Sequence, residues 1–284
     1  NAIANKLELQ NNINYDFENI LVTNGAKQAI YNLFQILLNE GDEVIIPSPY
    51  WLSYPQIVKL AGGKPIFLET SPKNGFKIDV EQLKEKISSK TKFIIINSPN
   101  NPTGKVLSEN ELLEIIEIIR KHDQINILSD EIYELILKNK VNHIPVVSLA
   151  KDLEDRIYTV NGFAKGWAMT GWRVGYLAGR KDVIKASSSL QSQSTSNVCS
   201  FVQKGAIAAL KIKKDYFEEI NLIYDERRQV LSKGLKDIEN IHLNSPNGAF
   251  YAFPQLPNAN ISSVDFCKKA LEDFGLVVVP GMAF

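Results

Sequence analysis

The sequence predicts an α/β protein, a mostly parallel sheet sandwiched by helices, followed by a smaller α+β region at the C-terminal side. Two observations carry this. Up to about residue 210, short β-branched runs alternate with longer stretches whose apolar residues recur at helical spacing. The runs are apolar almost throughout rather than at every second position, as strands covered on both faces are. Past that point the texture changes to one long charged helix and then shorter elements.

The first strand is ILVT at 20–23, and the helix after it, GAKQAIYNLFQILLN, sets Ile30, Leu33, Phe34, Leu37 and Leu38 on one face. EVIIP at 43–47 and KPIFLE at 64–69 are strands, separated by a helical SYPQIVKLAG and followed by a helical VEQLKEKIS. KFIIIN at 92–97 leads through a loop to SENELLEIIEIIRKH, where Ser108 with Glu111 three residues on predicts a capping box. INILSD at 125–130, RIYTV at 156–160 and the apolar VGYLAG continue the series. KDYFEEINLIYDERRQVLSKGLKDI reads as one long amphipathic helix, and GAFYAFP and GLVVVP as strands flanking a helical SSVDFCKKALEDFG. The expected division is a large domain over 1–211, then a long linking helix and part of a small domain over 212–284. Because NAIANKLELQ is helical from its first residues and VVVPGMAF stops just after a strand-like run, further chain is expected at both ends.

Bulk properties exclude several classes. With 44% hydrophobic and 23% charged residues, the composition is that of an ordinary soluble globular chain. Lys plus Arg and Asp plus Glu both number 32, which offers nucleic acid or an anionic membrane no electrostatic hold. Apolar runs such as FIII at 93–96 fall far short of the roughly 20 residues a membrane helix needs. Two cysteines, Cys199 and Cys267, suit buried thiols in a reducing compartment, so a cytoplasmic location is expected. His122, His143 and His242 belong to no motif, read as structural or surface residues, and form no metal pattern.

Chemistry collects where ligands bind in an open α/β sheet, outside the carboxyl ends of the strands. Asn24-Gly25-Ala26-Lys27 follows the first strand and opens a helix, either a plain N-cap or an anion site built from first-turn N–H groups. Ser48-Pro49-Tyr50-Trp51 follows the second, and SPNNPTG at 98–104, a turn by composition, follows the fourth. Asp130 ends a buried-type strand and needs a cationic or N–H partner, a structural arginine or a ligand's protonated nitrogen. Tyr133, one helical step on, is packing or function. VNGFAKGWAMTGWR at 160–173 places Lys165 in apolar surroundings, where an amine loses its proton more readily. The bland alternative is a lysine snorkelling past Trp167 and Trp172. Arg173 suits a phosphate as well as a surface acid. An amine nucleophile, a carboxylate awaiting a cation, a phosphate cradle and an aromatic surface together describe the needs of pyridoxal phosphate.

NSPNNPTG, SDEIY and NGFAKGWAMTGWRVGY occur in the order and approximate spacing of the class I/II aminotransferases, the fold-type I pyridoxal-phosphate enzymes, which the whole chain resembles. VTNGAKQAIYNLFQ and PSPYWLSYPQ look most like the bacterial aspartate aminotransferases. The resemblance implies that Lys165 forms the internal aldimine and shuttles the proton, and that Asp130 pairs with the pyridine nitrogen. It implies that Asn101 and Tyr133 hydrogen-bond the phenolic oxygen, and that Arg173 with the N–H groups of Gly25 and Ala26 binds the phosphate. Tyr50 falls where an aromatic ring stacks on the cofactor, and Lys27 where a phosphate or a substrate's distal carboxylate is met. Where many relatives have a phosphate-binding serine, this chain has Gly162. The arginine for the substrate's α-carboxylate is expected beyond Phe284. The implied reaction moves an amino group from an amino acid, aspartate first, to a 2-oxo acid, 2-oxoglutarate first, in a homodimer. A carbon–sulfur lyase using the same cofactor and a non-catalytic pyridoxal-phosphate-binding regulatory domain are the alternatives.

Overall fold

The computed structural model describes residues 1–256 and 260–284. Seven strands form one sheet: β1 (Ile20–Thr23), β2 (Glu43–Ser48), β3 (Lys64–Glu69), β4 (Thr91–Asn97), β5 (Asn126–Asp130), β6 (Ile157–Gly162) and β7 (Gly175–Ala178). Their spatial order is β1-β7-β6-β5-β4-β2-β3. β2 to β6 run parallel to one another, and β7 lies antiparallel to both β1 and β6. The helices, in chain order, are α1 (Ala2–Asn11), α2 (Ala26–Leu37), α3 (Ser53–Leu60), α4 (Val80–Lys86), α5 (Glu109–Arg120), the single turn α6 (Val146–Leu149), α7 (Lys181–Ser192), α8 (Ser200–Ala209), α9 (Lys214–Lys236) and α10 (Ser263–Phe274).

Both faces of the sheet are covered, which is why the strands read as continuous apolar runs. Alternate residues of β4 serve two cores. Phe93 and Ile95 pack with Ile30, Leu33 and Phe34 of α2, while Ile94 and Ile96 pack with Leu112, Ile115 and Ile119 of α5. The capping box at Ser108 and Glu111 forms, and it fixes where α5 begins. Parallel pairing then aligns strand ends: Asn97 lies opposite Asp130, and Asp130 opposite Val160, so the polar groups after β4, β5 and β6 share one rim.

Two differences from expectation have physical causes. α7 and α8 fill a stretch outside the elements expected from the sequence; α7 buries Val183, Ile184, Ser187 and Gln191, a partly polar face that weakens a purely hydrophobic signal. GAFYAFP and GLVVVP form no strands. Gly248 makes an isolated bridge with Leu137, and Gln255 one with His242. Val277 and Val279 are 78% and 65% exposed, with no partner strand among the described residues, and β-propensity without a neighbouring ladder does not make a strand. No helix among the described residues is long and apolar enough to cross a membrane.

Candidate active site

A cavity of about 260 Å³ opens on that rim, near the lower end of the volumes that hold one small molecule. Its wall includes Asp130 from the end of β5, Lys165 from the loop after β6, and Arg173 from the turn before β7. Asp130 is 4% exposed. Its carboxylate accepts hydrogen bonds from the Tyr54 hydroxyl at 2.6 Å and the Ile132 N–H at 3.3 Å. Burial nevertheless pushes its pKa up to about 6; these two bonds and the Lys165 charge oppose the rise, and the neighbouring Glu131 adds to it. Such a carboxylate gains from any cation brought to it.

Lys165 is half-buried, and its amine makes no hydrogen bond or ion pair among the described residues. Its Nζ lies 5.6 Å from the ring centre of Tyr133 and 5.4 Å from that of Phe250. Burial and the Arg173 charge lower its pKa, against the pull of Asp130. Across the cavity, the Tyr133 hydroxyl bonds the Tyr251 hydroxyl, which also accepts from Asn101 Nδ2 at 3.3 Å. Asn101 Oδ1 is buried without a partner. Burial raises both phenols above the ordinary tyrosine value, so they are neutral donors at physiological pH.

The anion corner is built from absences. Gly25 caps α2 at φ +83°, and a Cβ there would meet Arg173 Nη2 at 2.7 Å. Opposite, a Cβ on Gly175 would meet the Ala26 nitrogen at 2.5 Å. The two glycines let the guanidinium and the α2 N-terminus come together, where a helix dipole already favours negative charge. Among the described residues, the Arg173 guanidinium donates only to the Thr170 carbonyl, at 3.0 Å. The Ala26 and Lys27 N–H groups, in the first turn, have no backbone acceptor among the described residues.

Two sequence readings change here, and a third gains its physical reason. The Gly25 N–H donates to the Thr23 carbonyl at 2.8 Å, so Gly25 contributes space rather than a donor. Tyr50 is not part of the cavity wall: its ring stacks on Phe67 at 5.1 Å, and it borders a separate space of about 40 Å³, room for water alone. Trp51 is the aromatic that reaches the wall, with the Lys27 ammonium 5.0 Å from its ring centre. The chain turns into α3 immediately after Trp51, and this turn, invisible in the sequence, points the two adjacent rings apart. At Gly162 a Cβ would come within 2.9 Å of Gly175 Cα, so the β6–β7 pairing leaves no room for a serine. Tyr54, Thr170 and Tyr251 line the cavity and were not singled out by sequence. Tyr54 sits in WLSYP and Thr170 in MTGWR, inside quoted motifs, whereas Tyr251 lies in a run read as a strand.

The donor set matches pyridoxal phosphate: an unpaired amine, a buried carboxylate lacking a cation, an orphaned amide oxygen, and an arginine over a helix N-terminus. Fold and cavity thus define an α/β enzyme that works on amines through an aldehyde cofactor held at the carboxyl rim of its sheet. The family model for aminotransferase class I and II matches residues 1–284. The chain is 44% identical over 293 residues to a probable aspartate/prephenate aminotransferase of Rickettsia bellii, covering 100% of this chain and 73% of that protein. It is 45% identical over 289 residues to the aspartate aminotransferase of Bacillus subtilis, with the same coverage. The crystal structure of an aspartate aminotransferase from Rhizobium meliloti superimposes with a TM-score of 0.95 at 36% identity, over 99% of this chain and 73% of that one. The chain therefore belongs to the class I and II aminotransferases, and it is a pyridoxal-phosphate-dependent transaminase acting on amino-acid and 2-oxo-acid substrates.

Proposed function

We propose that this transaminase takes its amino group from aspartate and passes it to 2-oxoglutarate, using the cavity around Lys165. The carrying observation is Lys165 itself, an amine with a lowered pKa and no partner, sharing a wall with a buried carboxylate and an open anion corner. When bound, pyridoxal phosphate supplies an aldehyde that condenses with amines and a ring that accepts the electron pair left at a substrate's Cα. Arg173, the Ala26 and Lys27 N–H groups and Thr170 bind the phosphate. Asp130, oriented by Tyr54, holds a proton on the ring nitrogen. Asn101 and Tyr133 bind the phenolic oxygen, and Trp51 backs the ring in place of Tyr50. Lys165 would hold the cofactor through its amine and would move the proton at a substrate's Cα as general base and acid.

Lys27 supports the choice of aspartate. Its ammonium lies at the cavity over Trp51 with no carboxylate paired to it, available to a substrate's distal carboxylate. The relatives from Rickettsia bellii and Bacillus subtilis bear names with aspartate in them. A homodimer and a cytoplasmic location are proposed on the family resemblance and composition, and a domain division at 211/212 on the change of texture there. The test is an absorption spectrum of the full-length protein with cofactor, before and after aspartate. A visible band that moves toward the ultraviolet without ammonia release, and returns with 2-oxoglutarate, supports the proposal. Ammonia and pyruvate release would replace it with a lyase, and a band that ignores aspartate would remove aspartate as substrate.

A further inference from the structure

The turn from Ser129 to Glu134 has two sides. Asp130 and Tyr133 border the cavity, while Glu131 and Glu134 enter a buried cluster that the proposed chemistry does not use. Glu134 accepts from Lys6 Nζ and, at 3.0 Å, from Asn11 Nδ2, both on α1. Lys6 also donates to Asn11 Oδ1 at 2.8 Å. Glu131 Oε1 accepts from the Ser129 hydroxyl at 2.8 Å and the Val146 N–H at 3.3 Å. Its other oxygen lies 3.2 Å from His143 Nε2, an ion-pair distance at an angle outside hydrogen-bonding geometry. None of these charged side chains is more than 7% exposed.

A metal ion is a poor occupant. Glu131, Glu134 and His143 bring ligand atoms within 4.8 Å of one another. Both Glu134 oxygens and one Glu131 oxygen are already taken, however, and the Lys6 ammonium sits beside them. The charge count points to a different role. Two buried carboxylates face one ammonium, and an uncompensated buried charge is strongly unfavourable. The other groups that face the cluster are the Asp130 carboxyl, on the same turn and raised further by Glu131, and two phenols, Tyr15 after α1 and Tyr176 on β7, both raised by burial and neutral. Among the described residues, His143 is the one placed to supply the second positive charge.

We propose that His143, as an imidazolium, is a positioning residue for the active site: with Lys6 it neutralises Glu131 and Glu134 and so fixes the turn that presents Asp130 and Tyr133. This rests on the roles given above to Asp130 and Tyr133. Burial works against a charged imidazole, but Glu131 and then Glu134 outweigh it, and the His143 pKa ends above its ordinary 6.5. A histidine raised in this way adds stability that is fully present below 6.5 and fades as pH climbs through the folded-state value. The cluster also ties α1, far away in sequence, to the turn beside the cofactor.

The test compares wild type, His143→Gln and the double variant Glu131→Gln/His143→Gln, all as full-length protein. The gap in unfolding temperature between wild type and His143→Gln is expected to be widest near pH 6 and to close toward pH 9. At pH 7, His143→Gln is expected to raise the Kd for pyridoxal phosphate about tenfold, and removing the Glu131 charge as well should recover most of that loss. A steric role would not be rescued by deleting the opposite charge. A pH-independent gap, or a double variant no better than the single one, overturns the proposal. If His143→Gln does not fold, the imidazole titration of wild-type His143 by NMR decides: charged at pH 7 supports it, neutral overturns it. Should wild type bind no cofactor while the gap still closes with pH, the fault lies with the proposed function and not with the charge cluster.

Discussion

The same six-residue turn, SDEIYE, serves two constellations of charge that are built on opposite terms. In the buried cluster charge is set against charge: Glu134 accepts from Lys6 and Asn11, and Glu131 accepts from Ser129 and Val146 and stands at ion-pair distance from His143. In the cavity the groups are left open: Lys165 with no partner, Asp130 with no cation bonded to it, Asn101 Oδ1 with no donor. Buried polar groups are normally satisfied, so open ones are either defects or positions reserved for a ligand. Here Lys165, Asp130 and Asn101 converge on one space, and the paired charges of the cluster turn away from it. Charge paired with opposite charge marks the structural side, and charge left without a counter-ion marks the functional side.

That contrast is most directly broken at Lys165. Lys165→Ala should lower turnover of aspartate by at least about 10⁴-fold while cofactor still binds, because the amine both anchors and moves the proton; near-normal turnover in a steady-state assay would end the assignment. On the closed side, Lys6→Met leaves Glu134 buried without its cation and should cost about 3–5 kcal/mol of stability. Chemical denaturation measures it, and a loss below about 1 kcal/mol would mean that the cluster is not tightly paired.

Asp130→Asn sharpens the comparison by moving activity and stability in opposite directions. The folded-state pKa, about 6, lies above the ordinary 3.8, so the group favours folding below 3.8 and loses that contribution as pH rises through 6. At pH 7 the cofactor-free variant should therefore be more stable than wild type, by on the order of 3 kcal/mol, with the gain vanishing below about pH 4. Turnover should fall about 10²- to 10³-fold. Thermal melts across pH check the first statement and an activity assay the second. The smallest effect is expected at the anion corner. Gly25→Ala adds a methyl at a positive φ and against Arg173 Nη2, and should weaken cofactor binding about 10- to 100-fold by displacing one charge-assisted contact. A cofactor titration showing unchanged affinity would place the phosphate elsewhere.

Much of this was legible in the chain. The strand and helix alternation up to residue 210 gave the doubly covered sheet because burial on both faces leaves an unmistakable apolar run. Lys165, Asp130, Asn101, Tyr133 and Arg173 were found through local motifs, and the structure brings all five to one cavity. Tyr50 and Trp51 show where local reading stops: adjacent aromatics are equivalent on paper, and only the turn into α3 sends one to the cavity and the other to Phe67. Tyr251 was missed because its partner, the Tyr133 hydroxyl, is 118 residues away. His143 read as structural or surface, and it is buried beside a carboxylate that shares no motif with it.

The sequence by itself determined the family and the alternation of strands and helices through β6, because each is written in residues near one another along the chain, and the proposed reactive groups come from the same local motifs. Which groups are paired and which are left open was decided only by the tertiary structure. Pairing depends on what distant segments bring alongside: α1 carries Lys6 to Glu134, and β7 and the α2 N-terminus close around Arg173 only because Gly25 and Gly175 leave the space. A charge's partner is a property of three-dimensional proximity and burial, and neither can be read from a residue's neighbours in sequence.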